Sequence, residues 1–217
     1  MSVDEKMTAI ADAIRDKTGG TEALTLDDMA AEIPKVYEEG KKAEREEFWK
    51  EYYTTASWAY AFYGQMWNDK NYNPNKTIKP ASGTNAASMY QTSTITDTKV
   101  PLDLSGVSSI NYIFYNAKKL KTIQDITFPT SGTASSAFYG CSALENITVN
   151  GSIQISLVFT SCTKLNKASI ESIINALSAT TSGLTVTLSE TAVNNAFTAE
   201  EWDALEATKT NWTISLV

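Results

Sequence analysis

The first stretch of the chain carries Val3, Met7, Ile10 and Ile14 at spacings of four, three and four, an apolar stripe on the helical period. It predicts an amphipathic helix, which Gly19 and Gly20 end. A second helix is predicted from Thr25, whose hydroxyl can cap the amide of Asp28, with Leu26, Met29, Ala30 and Ile33 on one face and Pro34 as its break. The apolar pattern then thins. Over residues 36–53, "VYEEGKKAEREEFWKEYY", the narrow seam Val36, Gly40, Ala43, Phe48 and Tyr52 suits oligomerisation through a short coiled coil, and equally suits a solvated linker helix. Residues 52–67 turn densely aromatic, and a polar loop full of turn residues follows.

Beyond that loop the pattern has a longer period. "IFYNAKKLKTI" at 113–123, "AFYGCSALENI" at 137–147 and "VFTSCTKLNKA" at 158–168 align Phe114 with Phe138 and Phe159. The same alignment superposes Ala117, Cys141 and Cys162, then Leu120, Leu144 and Leu165, at steps of 24 and 21 residues. One step earlier, Met89 takes the Phe place and Ile95 the Leu place, and "AFYG" at 61–64 reads as an irregular first copy. Units this short cannot bury their own apolar face and must stack on one another. The C-terminal region predicts a helix from "SIESIINALS", a strand from "LTVTLS", a helix from "TAEEWDALEATKTN" capped by Thr198, and a closing strand from "WTISLV".

The repeated pattern, apolar-Phe-x-x-Cys-x-x-Leu-x-x-Ile followed by a strand like "ITFP", resembles the BspA-type leucine-rich repeats of bacterial surface proteins, most fully over "SSINYIFYNAKKLKTIQDITFP" at 108–129. The last unit departs from it, because "VNGSIQISLVF" lacks the proline. The resemblance implies an α+β fold class: N-terminal helices, then a short leucine-rich-repeat-like β-solenoid, then an α/β C-terminal cap. The corresponding division is 1–54 for helical assembly or attachment, 55–85 for an aromatic cap and loop, 86–168 for the solenoid and 169–217 for the closing cap. "IADAIRDKTGGTEALTLDDMAAEI" with "YEEGKKAEREEFWKEYY" resembles the leading segment of tail-associated proteins in phages and prophages of Gram-positive bacteria. That likeness implies a noncatalytic virion protein whose head assembles with other tail proteins, as a homo-oligomer and most simply a trimer, while the body binds a host-surface glycan or protein. A bacterial cell-surface adhesin is the alternative.

Charge sharpens the division. Residues 1–53 hold 14 of the 25 acids and 8 of the 18 bases, a net of -6 out of the chain's -7. An acidic chain without a basic stripe argues against a nucleic-acid partner, and no apolar run reaches the roughly 20 residues of a membrane helix. The opening "MSVDEKMTAI" also lacks the basic-then-apolar pattern of a secretory signal. With no histidine and two cysteines, the commonest general base and metal ligand are absent and neither a metal nor a cofactor is expected. No nucleophile-elbow or phosphate-loop pattern occurs, so no catalytic residue is assigned. Glycan hydrolysis by carboxylates is the remaining catalytic alternative, with Asp97, Asp103, Asp125 and Glu145 beside turns. Cys141 and Cys162, at equivalent places, could come within disulfide reach, but Ala117 in the same place marks it as a site for a small buried residue and points to free thiols.

The candidate binding residues are aromatic. Tyr63, Tyr90, Tyr115 and Tyr139 follow Phe62, Met89, Phe114 and Phe138, and where one residue points inward its neighbour points out. A tyrosine row of this kind offers a ligand platform, or tyrosines that stack only to stiffen the body. Trp58, Trp67 and Tyr72 flank the first copy and are the next candidates.

Overall fold

The repeat step of 24 residues is a property of the backbone as well as of the side chains. In the computed structural model, which describes residues 12, 13, 16, 77–80 and 82–217, three turns stack at 86–92, 110–116 and 134–140. Alternate amides, those of Ala86, Ser88, Tyr90 and Thr92, donate to the carbonyls of Ser109, Asn111, Ile113 and Tyr115 in the next turn at 2.7–3.0 Å. Ile110, Tyr112, Phe114 and Asn116 repeat the pattern onto Thr133, Ser135, Ala137 and Tyr139. The amides between them close three-residue turns instead, as in Tyr115 to Tyr112 and Tyr139 to Ser136. Each turn's donors are thereby divided between itself and its neighbour, which leaves few buried N–H groups to satisfy otherwise.

The geometry requires a left-handed residue at two recurring places. One is filled by Ser88, Tyr112 and Ser136, the other by Thr92, Asn116 and Gly140, all at positive φ. At Gly140 a side chain would also run into the Asn116 amide oxygen, so glycine meets both the backbone and the packing requirement there.

Opposite the turns lies a parallel sheet of β1 (Leu102–Asp103), β2 (Thr122–Thr127) and β3 (Asn146–Val149). Leu102 pairs with Ile126 and Ile123 with Ile147, and Ile78 bridges to Leu102 on the outer side. Between sheet and turns the core is a stack of Leu104, Ile110, Ile113, Leu120, Leu144 and the rings of Phe114, Phe128 and Phe138, all fully buried. Cys141 and Cys162 are free and buried, as the small-residue place requires.

The single solenoid expected over 86–168 is not what forms. The described residues make an α+β fold with two separate three-stranded parallel sheets, β1-β2-β3 and β4-β5-β6. The second comprises β4 (Leu157–Phe159), β5 (Leu184–Leu188) and β6 (Trp212–Leu216). The first sheet stops because helix α1 (Lys167–Ala176) occupies the place of a next strand. Asn166 caps that helix by accepting from the Ser169 amide, and the hydroxyls of Ser169 and Ser172 accept the amides of Ile147 and Val149, each at 2.9 Å. Side-chain oxygens thus satisfy the edge of β3 and end the ladder. The turn ladder ends too: beyond Asn116 to Tyr139 the stack passes on through rings, Phe138 lying 4.4 Å from Phe159. With the shorter step of 21 residues Phe159 lies in strand β4 rather than in a fourth turn.

The second sheet is built differently. Parallel strands need a crossover. Helix α1 connects β4 to β5, while α2 (Glu190–Ala196), α3 (Ala199–Glu206) and the 3-10 turn Ala207–Lys209 connect β5 to β6. The sequence pattern predicted one helix from Thr198 in this last connection, and the structure adds α2, which turns Ala192 and Val193 into the core. Thr198 does cap α3, in a reciprocal box with Glu201. The Lys167 ammonium, foremost, and the Thr198 amide hold the Glu201 carboxyl below its usual range.

The chain divides into two units, Met1–Tyr52 and Tyr53–Val217. In the first, Asp12, Ala13 and Asp16 are helical and exposed. The remainder of both predicted N-terminal helices and the seam Val36, Gly40, Ala43, Phe48 and Tyr52 lie outside the described residues, as do Trp58, Tyr63, Trp67 and Tyr72.

Candidate functional site

The stacked turns sort their aromatics into an inner and an outer column. Tyr90, Phe114, Phe138 and Phe159 form the inner one, with ring centroids 5.3, 5.6 and 4.4 Å apart in succession. Tyr90 is therefore a core residue, 3% exposed, in the place expected for Met89. The uniform step back from Phe138 through Phe114 arrives at Tyr90, and the outer position in that turn falls to Gln91.

The outer column holds Tyr115 and Tyr139, stacked at 5.2 Å with their planes 17° apart. Tyr112 joins them, its ring set edge-on to Tyr115 at 5.5 Å and 74°. Tyr139 is 54% exposed and Tyr112 43%, the largest exposures among the described aromatic residues, and Tyr115 is half-buried between them. Sequence reasoning found Tyr115 and Tyr139 but missed Tyr112. The missed signal was the alignment itself: the other two turns carry Ser88 and Ser136 where this one carries tyrosine.

Packing against Tyr115 covers only part of Tyr112. Its ring is exposed, and its φ of +57° is unfavourable for a bulky residue. The positive φ is set by the repeat, since Ser88 and Ser136 share it at the equivalent places, and what sets this turn apart is the exposed ring it carries there. Along the chain the tyrosines are flanked by the uncharged Asn111, Asn116, Ser135 and Ser136, with the exposed Lys118 and Lys119 following in the next turn. Asn111 supports the platform from beneath, its side chain accepting the Ser135 amide at 2.7 Å across the stack.

No family model, curated protein or solved structure matches this chain.

A second concavity, about 520 Å³, lies between the last repeat and the closing helices, lined by Glu145, Thr163, Lys164, Leu165, Asn166, Lys167, Asn195 and Ala196. Its most prominent cation is already engaged, for Lys167 pairs with Glu201 at 2.7 Å and sits 5.0 Å over the Phe197 ring. Glu145 alone among the lining residues carries a carboxyl. Two of the other carboxylates considered for glycan hydrolysis are held by cations, Asp103 by Lys79 at 2.7 Å and Asp97 by Lys99 at 3.6 Å. Asp125 lies in β2, half-buried at a positive φ. No group of three or more acidic or cysteine side chains disposed to hold a metal occurs among the described residues. Both thiols are buried, and burial pushes Cys141 up to about 12 and drives Cys162 well above its ordinary value, which keeps them protonated at neutral pH. Cys141 donates to the Phe114 carbonyl at 3.1 Å. No helix among the described residues is long and apolar enough to cross a membrane.

Proposed function

We propose that this chain is a noncatalytic binding protein that attaches to a bacterial surface through the tyrosine platform of its stacked turns. The observation that carries the reading is the cluster of Tyr112 and Tyr139, exposed, with the half-buried Tyr115 between them, on a body whose other described repeat aromatics are buried. Tyrosine supplies a large rigid contact area with a polar tip, at little cost in side-chain entropy. The N-terminal likeness to phage and prophage tail proteins supports a virion setting, in which residues 1–54 join several copies and multiply weak individual contacts. A cell-surface adhesin would use the same platform.

Replacing Tyr112, Tyr115 and Tyr139 together by Ser tests this. Binding of labelled protein to intact Gram-positive cells falls at least tenfold while the thermal midpoint moves by only a few degrees. Undiminished binding would refute the platform. Light scattering after removal of residues 1–54 tests the assembly role, with a drop from oligomer to monomer expected.

A further inference from the structure

We infer that the platform ends in an open notch at Tyr139 that takes the apolar face of one neutral sugar ring; this rests on the surface-binding reading and names its ligand. One face of Tyr139 is covered by Tyr115 at 5.2 Å, yet the residue remains 54% exposed. The reason lies in the next level of the stack. Phe159 continues the inner column beneath Phe138, and the residue after it, which corresponds to Tyr139, is Thr160. In the repeat alignment a threonine takes the place where a third tyrosine would continue the outer column, and among the described residues Tyr115 is the one aromatic that stacks on Tyr139.

The chemistry of this notch fits a sugar better than a protein side chain. A pyranose presents axial C–H groups, which carry slight positive charge, to the electron-rich ring face, and its equatorial hydroxyls point outward at the rim. The polar side chains known to lie beside Tyr139 are uncharged: Ser136, whose carbonyl accepts the Tyr139 amide, Asn116, which packs against Gly140, and Tyr112, which joins through Tyr115. No exposed aliphatic residue adjoins Tyr139 in its turn to form the apolar centre that a protein interface needs. Val158, 45% exposed two residues before Thr160, is a single aliphatic side chain and by itself makes no such centre. Neutrality of the rim means that binding should depend little on salt.

The test uses the full chain titrated with chitotriose and, separately, cellotriose, followed by the Tyr139 ring resonances and by calorimetry. At least one saccharide is expected to shift Tyr139, with an affinity unchanged between low and high salt. Tyr139→Ala should weaken it at least tenfold, and Tyr139→Phe should preserve most of it. Thr160→Tyr is the decisive variant: it should block the sugar by filling the notch while leaving the melting midpoint equal or higher, so lost binding cannot be ascribed to unfolding. Cell binding separates the two levels of inference. If Tyr139→Ala abolishes binding to cells, but neither saccharide titrates and protease treatment of the cells removes the receptor, the sugar is overturned in favour of a protein partner and the platform stands. If Tyr139→Ala and Thr160→Tyr both leave cell binding intact, the platform reading itself falls.

Discussion

The two halves of the described body bury similar side chains by different means. From Ile78 to Val149 the described residues form no helix, and each level is completed by the next: every second amide of a turn donates to the neighbouring turn, and one ring lies on another. From Leu157 to Leu216 the parallel strands are joined by helices that carry their own caps, Asn166 for α1 and Thr198 for α3, while Lys209 donates to the Asn175 and Leu177 carbonyls at the far end of α1. The first half borrows its order from neighbours and so needs an end. The second half supplies that end. Where they meet, the backbone ladder gives way to helix hydroxyls on one side and stacked rings on the other.

The sharpest way to break this comparison is at the joint. Phe138 touches Phe114, Phe128 and Phe159, so Phe138→Ala should cost about 3–5 kcal/mol in urea unfolding, the usual price of truncating a buried ring. A single transition is expected, because one ring column runs through both halves. Two separated transitions would mean that the halves are independent after all.

Next in size is Ser169→Ala, which orphans the buried amide of Ile147 and removes the hydroxyl's own donation to the Glu145 carbonyl. A loss of about 2 kcal/mol is expected, with faster exchange of the Ile147 amide. Unchanged exchange would show that the helix does not seal the sheet.

The cysteines supply a pH test. In the unfolded chain the thiol of Cys141 ionises near its ordinary value of 9, whereas burial pushes it up to about 12 in the fold. The raised folded value favours the native state fully below pH 9 and progressively less above it, at up to about 1.4 kcal/mol per pH unit, until the folded group ionises in turn. Stability should therefore fall more steeply between pH 9 and 12 in the parent than in Cys141→Ala. Equal slopes would mean that the site is wetter than its packing implies. The smallest effect belongs to Thr198→Ala, about 1 kcal/mol from loss of the capping box, with the turn ladder untouched.

The inner Phe column, the small residue at Cys141 and Cys162 and the paired Tyr115 and Tyr139 were all legible as repetition. Met89 and Tyr90 differ from the expected alternation because both are buried, as Ile113 with Phe114 and Ala137 with Phe138 are, and the residue after each such pair is the outer one. The irregular copy precedes the well-aligned ones, and the choice of Met89 departs from the 24-residue step between Phe114 and Phe138, which leads to Tyr90. Tyr112 escaped because its partners are serines, so repetition concealed the one member that differs. The stop after β3 was hidden for another reason. Ser169 and Ser172 look like unremarkable helix residues until the edge amides they accept are in place.

The sequence by itself determined the repeat length, the buried column and the presence of a closing α/β segment, since each is written in the spacing of apolar residues and in cap chemistry. Only the tertiary structure decided that the stack divides into two sheets, which tyrosines face outward, and that Tyr139 has an uncovered face. Those outcomes depend on which backbone amide meets which oxygen across more than twenty residues, and on the one-residue register that places a ring in the core or in solvent.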